Sequence, residues 1–151
     1  MKLVLGCDHG GFLLKEHLKK NLKDCIDLGA KKNDPEDDYV DFAFKVALMV
    51  SEASKKDPFQ NELMGVLLCR SAAGMVIAAN KFPGVRAVAP FDIKSARHAR
   101  EHNAANVIAL SGDFLGVGDA TKILEAFVNT GFSNEERHVR RIKKILAHEG
   151  L

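Results

Sequence analysis

The chain of 151 residues is 46% hydrophobic and 28% charged, with a formal charge of +2 and three cysteines. These values fit one folded domain over residues 1–151 and exclude a disordered chain, while the small charge argues against a nucleic-acid partner. The chain has no apolar run as long as a membrane helix and no signal-peptide pattern, and its odd number of cysteines argues against a disulfide framework. We therefore expect a cytoplasmic protein without a membrane partner.

Two kinds of apolar pattern alternate along the chain. Short blocks rich in branched aliphatic residues predict buried strands at 3–5, 25–28, 63–68, 85–88 and 107–110. Stretches in which apolar residues recur at helical spacing predict helices at 12–22, 39–50, 74–81, about 92–102, about 116–130 and 134–148. The alternation predicts an α/β sandwich with a parallel sheet, because parallel strands need crossover connections that place helices on both faces.

No strand follows the last helical stretch, at about 134–148. This helix either packs on the sheet or reaches toward another subunit, and composition leaves both possibilities open.

The segment CRSAAG at residues 69–74 is the most informative candidate site, because ligands of parallel sheets bind at the carboxyl ends of the strands. Its small residues open a helix, so backbone N–H groups can hold an anion and the helix end favours a thiolate at Cys69. A thiolate beside such donors is suited to removing a proton next to a carbonyl group. The alternative is that Cys69 is a small buried residue at a strand end.

Other residues at strand and helix ends carry weaker signals. Asp8 and His9 follow the first strand, where they either bind a ligand or cap a helix. His102 stands near a helix end, where it either acts in a site or caps carbonyl groups. Arg137 and Arg141 are one helical turn apart, so they either clamp one anion or belong to a solvated basic face.

Several segments together form a pattern that runs in order along nearly the whole chain. They are GCDHGGF at 6–12, DLG at 27–29, DY at 38–39, GVLLC at 65–69, IAANKFPGVRA at 77–87, HN at 102–103 and RHVRR at 137–141. The run at 77–87 is far more specific than a lone glycine loop. On these segments the chain resembles the ribose-5-phosphate isomerase B / galactose-6-phosphate isomerase family.

The resemblance implies a three-layer α/β/α sandwich with a five-stranded parallel sheet. It also implies a homodimer or higher homo-oligomer with sites at the subunit interface, and neither a metal nor an organic cofactor. The implied activity interconverts an aldose phosphate and its ketose through an enediolate, with ribose 5-phosphate and ribulose 5-phosphate as the leading pair. Galactose 6-phosphate, allose 6-phosphate or another aldose stays open as the substrate, as does a non-catalytic homologue that binds a sugar phosphate.

The matched positions imply the roles of individual residues. Cys69 would be the base at carbon, His102 would open the sugar ring, and Asp8 would hold sugar hydroxyl groups. Ser71 would donate to the reacting oxygens, within an anion hole formed by the backbone amides of Ser71, Ala72, Ala73 and Gly74. The phosphate ligands would be His9, Arg137 and Arg141, and the sugar contacts would be Asn103 and Tyr39.

Several positions depart from the family pattern, including Val40, where the family usually has proline. The loop after the cysteine is usually rich in glycine in the family, whereas Arg70 and Ala72 stand here. Neither adopts a positive φ cheaply, so the turn either has ordinary dihedral angles or a different shape. Many members carry a phosphate-binding arginine at the position of Asp113. We therefore expect weaker phosphate binding unless Arg70 supplies the missing cation.

Overall fold

The computed structural model describes residues 1–59 and 62–151. The described residues form the strands β1 (Lys2–Cys7), β2 (Cys25–Asp27), β3 (Leu63–Cys69), β4 (Ala87–Val88) and β5 (Val107–Ser111). They form the helices α1 (Phe12–Lys19), α2 (Tyr39–Lys56), α3 (Ala73–Ala79), α4 (Ile93–Asn103), α5 (Val117–Val128) and α6 (Glu136–His148). Every predicted strand block and helical stretch corresponds to one of these elements.

The strands form one parallel sheet in the order β2-β1-β3-β5-β4. The register pairs Cys7 with Leu68 and Cys69 with Ser111, so β1, β3 and β5 end side by side at one edge. The fourth strand is shorter than its aliphatic block. The N–H of Arg86 donates to the side chain of Asn106 at 2.8 Å, so this residue is held by a side chain before the strand begins.

Helices cover both faces of the sheet and bury two separate hydrophobic clusters. One cluster contains residues of α1, α4 and α5, including Leu18 and Phe127, and the other contains residues of α2 and α3, including Val46 and Met75. Strand residues enter the two clusters alternately, because successive side chains of a strand point to opposite faces. The predicted three-layer α/β/α sandwich with a five-stranded parallel sheet is confirmed.

The last helix, α6, packs beyond the end of α4. Its Ile142 and Leu146 form a small third cluster with Ala104 and Phe132. The helix therefore packs within its own chain but not on a face of the sheet, and its place at a subunit interface stays a prediction. Within the described residues, no helix is long and apolar enough to cross a membrane.

A buried lysine ties α1 to the edge of the sheet. The side chain of Lys15 is fully buried, and its Nζ donates to Asp27 Oδ2 at 3.1 Å and to the carbonyl oxygen of Ala30 at 2.7 Å. Burial disfavours the ionised form of Asp27, but hydrogen bonds from Lys19, Lys15 and the N–H of Gly29 outweigh it and lower the pKa of Asp27 to about 2. The network thus stabilises the fold above the ordinary pKa of an aspartate, and this contribution is lost as pH falls through about 2.

Replacing Lys15 with methionine is expected to lower the free energy of unfolding by about 2–4 kcal/mol, because it leaves a buried carboxylate and a buried carbonyl oxygen short of a donor. The matched control is Lys31→Met, since Lys31 lies 3.5 Å from the same carboxylate oxygen but is 70% exposed. The control is expected to lose less than about 1 kcal/mol. Urea unfolding at neutral pH measures both values, and equal losses would show that burial of Lys15 adds nothing.

Candidate active site

The turn after β1 brings Asp8 and His9 to the carboxyl edge of the sheet. Asp8 is buried, and its Oδ1 accepts a hydrogen bond from the N–H of Gly11 at 3.0 Å, which begins a single 3-10 turn before α1. Burial raises the pKa of Asp8, although the Gly11 N–H and His9 oppose the rise. The carboxylate therefore caps the turn, and its role in binding a ligand stays a prediction.

Cys69 ends β3 beside Asp8. Its Sγ accepts a hydrogen bond from the N–H of Ala72 at 3.0 Å, and the side chain is 5% exposed. The backbone N–H groups of the turn favour the thiolate as expected, but the net shift in the pKa of Cys69 is in the opposite direction. Burial raises the pKa of Cys69 and the charge of Asp8 adds to the rise, and together they outweigh the backbone N–H groups of Ala72 and Ser71. The thiolate, once formed, is thus a stronger base than that of an ordinary cysteine.

The turn between β3 and α3 contains a positive φ at a residue other than glycine. Ala72 has a φ of +67°, whereas Arg70 and Ala73 are not among the described residues with positive φ. An alanine in this region costs about 1–2 kcal/mol relative to an ordinary dihedral angle. Ordinary dihedral angles, one of the two possibilities left by the sequence, are therefore wrong for Ala72, which has a positive φ and bears its cost. This geometry directs the N–H of Ala72 at the sulfur.

Two of the departures from the family pattern meet in space. Arg70 Nε donates to Asp113 Oδ2 at 3.1 Å, and the stem of Arg70 lies across Gly10, where a Cβ would overlap it. The backbone carbonyl oxygen of Arg70 accepts from the N–H of Asp113 at 3.1 Å and from the hydroxyl of Ser111. The two side chains are 69% and 41% exposed, so the ion pair adds little stability, and its effect is to fix the position of the guanidinium.

Tyr39 packs against the helix that follows this turn. Asp38 caps α2 by accepting from the N–H of Val40 at 3.1 Å, and Tyr39 is the first residue of that helix. A Cβ at Gly74 would lie 2.7 Å from the tyrosine ring, so the ring packs against the N-terminus of α3. Ser71 and Ala73 are exposed at this turn. The structure thus brings together one group of predicted site residues: Asp8, His9, Tyr39, Cys69, Arg70, Ser71, Ala72, Ala73 and Gly74.

A second group of predicted residues lines a separate cavity. His102, Asn103 and Arg141 line a cavity of about 620 Å³ between the end of α4, β4 and α6. The rings of His98, His102 and His138 contact one another in series there, tilted by 57° and 30°, with centroids 3.9 and 4.4 Å apart. Burial and His102 lower the pKa of His138, whose Nδ1 lies 2.8 Å from the hydroxyl oxygen of Ser133. The cavity is therefore lined by imidazole and guanidinium groups.

The structure supports the arginine pair only in part. Arg141 lines the cavity, whereas Arg137, one helical turn earlier, is exposed and its Nε donates to Glu135 Oε2 at 2.8 Å. Nothing in the single chain places both guanidinium groups on one anion, so the clamp stays a prediction.

The two groups lie at opposite ends of the strands: the first at the carboxyl ends and the second at the amino ends. Cys69 pairs with Ser111 at the carboxyl end of β5, whereas α4 runs back and delivers His102 and Asn103 just before Val107, where β5 begins. The four residue steps of β5 between Val107 and Ser111 span about 13 Å. One chain therefore does not place the thiol and the imidazole on a single small substrate.

Three residues that contact the two groups were not predicted as site residues. Asp37 bonds to His9, but it stands in an irregular loop where no periodic pattern reveals its contacts. The rings of His98 and His138 contact the ring of His102. The spacing of four between His98 and His102 is a signal that one helix face carries both. The only sequence signal for His138 is that it lies in the segment at 137–141, which matches the family pattern.

Comparison with known proteins agrees with this α/β fold. A family model described as Ribose/Galactose Isomerase matches residues 3–145. The probable ribose-5-phosphate isomerase B of Mycoplasma genitalium is 40% identical over 97% of this chain and 95% of its own length. The chain therefore belongs to the ribose/galactose isomerase family, and the resemblance inferred from sequence is confirmed.

Two solved structures give the same result. The crystal structure of ribose-5-phosphate isomerase B from Mycoplasma genitalium with bound ribulose-5-phosphate matches with a TM-score of 0.88, 38% identity and coverage of 99% of this chain and 96% of that one. The type B ribose 5-phosphate isomerase of Trypanosoma cruzi matches with a TM-score of 0.89, 40% identity and 99% coverage of both chains.

Proposed function

We propose that this protein interconverts ribose 5-phosphate and ribulose 5-phosphate by proton transfer between adjacent carbons. The observation that carries the proposal is the buried thiol of Cys69, held against the N–H of Ala72 beside Asp8 at the ends of β1 and β3. A relative of 38% identity binds ribulose-5-phosphate on the same fold. The free thiols Cys7, Cys25 and Cys69 suit a reducing compartment, which supports a cytoplasmic location.

The reaction needs a base at carbon and a shelter for negative charge. The thiolate of Cys69 takes the proton from C2 of the open-chain aldose, and the electron pair of the broken C–H bond forms the enediolate. Backbone N–H groups of Ala73 and Gly74 and the hydroxyl of Ser71 stabilise the developing oxyanion, while the N–H of Ala72 stays on the sulfur. The thiol then returns the proton to C1, and the hydroxyl proton moves between the two oxygens, which leaves a carbonyl at C2. Asp8 holds the sugar hydroxyl groups.

The remaining groups of the site come from a second copy of the chain. His102, which would open the ring by moving a proton to the ring oxygen, lies with Asn103 and Arg141 at the edge opposite Cys69. In a symmetric homodimer, the Cys69 group of each copy can meet the His102 group of the other copy. Such a dimer contains two equal, complete sites. Exposed apolar side chains on α2 and α3, including Phe44, Leu48 and Ile77, support an interface between copies.

Arg70 supplies the cation that the family carries at the position of Asp113. Its Nε is bound to Asp113, so the two Nη nitrogens remain for a ligand. It also lies close enough to His9 for its charge to lower the pKa of that imidazole. The guanidinium and the imidazole form one cationic pair at the carboxyl edge of the sheet, suited to a phosphate ester.

Replacing Arg70 with alanine is expected to raise KM for ribose 5-phosphate about 10- to 100-fold with little change in kcat, since a hydrogen bond to a charged group contributes about 1.5–3 kcal/mol. Steady-state kinetics measure both parameters. The matched control is Arg140→Ala, an exposed arginine on α6. Titration with unphosphorylated ribose is expected to show no loss of affinity, and an equal loss for both sugars would remove Arg70 from the phosphate site.

A further inference from the structure

A carboxylate from a distant loop holds the imidazole of His9 in place. Asp37 lies in the loop between β2 and α2, and its Oδ1 is 2.7 Å from His9 Nδ1. The same oxygen accepts the backbone N–H of His9 at 3.1 Å. The side chain of Asp37 is 12% exposed, and its Oδ2 is buried without a hydrogen-bond partner among the described residues. Among the described residues, the hydrogen bonds of the Asp37 carboxylate are thus made with His9.

The contact decides which nitrogen of His9 can reach a ligand. Because Nδ1 is engaged with Asp37, the ring offers Nε2, and the imidazole is 29% exposed. A carboxylate on one nitrogen fixes the ring orientation and stabilises the protonated form, in which both nitrogens are donors. A donor at Nε2 that carries a positive charge suits a phosphate oxygen better than a neutral imidazole does.

We propose that Asp37 is a positioning residue that fixes His9 as an oriented imidazolium and thereby sets the affinity of the site for the phosphate end of the substrate. The proposal deepens the proposed function and rests on it, because it takes His9 as a phosphate ligand. Asp37 itself touches no reacting atom.

The charges around His9 favour the protonated ring. The hydrogen bond to Asp37 is the largest influence and raises the pKa of His9, and Asp8, its neighbour in the chain, raises it further. Burial and the guanidinium of Arg70 in the turn after β3 oppose the rise. Asp34, in the same loop as Asp37, also interacts electrostatically with His9. The imidazolium thus persists to higher pH than in a free histidine, and phosphate binding weakens as pH rises through the pKa of His9.

The test uses Asp37→Asn, which keeps the shape of the side chain and an acceptor oxygen but removes the charge. The matched control is Glu36→Gln, which removes one charge from an exposed neighbour in the same loop. The pKa of His9 is measured from its ring resonances by NMR, with His9→Asn to assign them. Asp37→Asn is expected to lower that pKa by about one unit, a tenfold loss of proton affinity. Glu36→Gln is expected to leave it unchanged.

The second readout is binding. Above the lowered pKa of His9, Asp37→Asn is expected to raise both KM for ribose 5-phosphate and Kd for inorganic phosphate about tenfold, with kcat within about twofold of wild type. The loss is expected to vanish at acidic pH, where His9 is protonated in both proteins. Asp37→Glu, which retains the charge, is expected to restore most of the pKa and of the affinity.

Two outcomes would overturn the proposal. One is a His9 pKa that Asp37→Asn leaves unchanged, and the other is a lowered pKa with KM and Kd unchanged at every pH. Failure of the proposed function is a different result, namely a wild-type protein that does not isomerise ribose 5-phosphate. The His9 pKa and the affinity for inorganic phosphate can still be measured on that protein, so the two failures are distinguishable.

Discussion

Replacement of Cys69 with alanine is expected to lower kcat for the isomerisation of ribose 5-phosphate by about 10³- to 10⁴-fold, the upper range for loss of a general base. The variant lacks any acceptor at the position from which the C2 proton is removed, whereas the N–H groups that hold the substrate oxygens remain. Binding of ribose 5-phosphate, measured by calorimetry, is therefore expected to stay within a few fold of wild type. The matched control is Cys25→Ala, a half-buried thiol at the edge of the sheet, which is expected to retain full activity.

The same thiol fixes the pH dependence of the wild-type reaction. Because burial raises the pKa of Cys69, only a small fraction of thiolate is present at neutral pH, and this fraction grows through the alkaline range. With substrate at saturation, kcat is expected to rise with pH until the thiol is ionised. A Cys69→Ala variant that keeps more than a tenth of the wild-type rate, or a kcat that falls as pH rises above neutrality, would remove Cys69 from the role of base.

Mixed dimers are expected to show the second large effect. Cys69→Ala and His102→Asn are each expected to be nearly inactive alone. A dimer with one subunit of each kind contains one site without either substitution, because each site takes Cys69 from one copy and His102 from the other. Mixed dimers isolated through two different affinity tags are expected to have about half of the wild-type activity.

The control for this experiment pairs two substitutions from the same group of residues. Asp8 and Cys69 interact at the same edge of one chain, so mixed dimers of Asp8→Asn and Cys69→Ala carry both changes in different sites and leave neither site intact. No recovery is expected in this control. Full inactivity of the Cys69→Ala and His102→Asn dimer, or equal recovery in both mixtures, would contradict a site shared between two copies.

Much of the fold could be predicted because aliphatic blocks and helical spacing are local signals. The strands β1, β3 and β5 lie where their blocks predict, since each is buried on both faces and its central residues are apolar. The fourth strand is shorter than its block because the side chain of Asn106, twenty residues away, binds the N–H of Arg86. A contact over that separation leaves no periodic trace in the sequence.

The site was predictable to the extent that sheet topology determines it. The rule that ligands lie at strand carboxyl ends brought Asp8 and Cys69 together correctly. The direction of the Cys69 pKa was not predictable, because it depends on how deeply the thiol is buried. The contacts of His9 with Asp37 and of Arg70 with Asp113 join residues 28 and 43 positions apart through loops and turns, where sequence alone shows no pairing.

The pairing of Arg70 with Asp113 also gives the two departures a common physical explanation. An acid in place of a family arginine would repel a phosphate if it stood alone. In this chain the Asp113 carboxylate is paired with Arg70, which stands where the family usually has a small residue. Under the proposed function, the two changes together place the cation at Arg70 instead of at residue 113.

The most direct test of the account measures proton transfer at carbon in deuterated water. Ribose 5-phosphate is incubated with wild-type protein or with Cys69→Ala, and the deuterium that enters C1 of ribulose 5-phosphate is followed by NMR. The account predicts that wild type incorporates deuterium during turnover, because the thiol can exchange its proton with solvent, and that Cys69→Ala incorporates it at least about a thousandfold more slowly while still binding the substrate. Equal rates of incorporation in the two proteins would contradict the account.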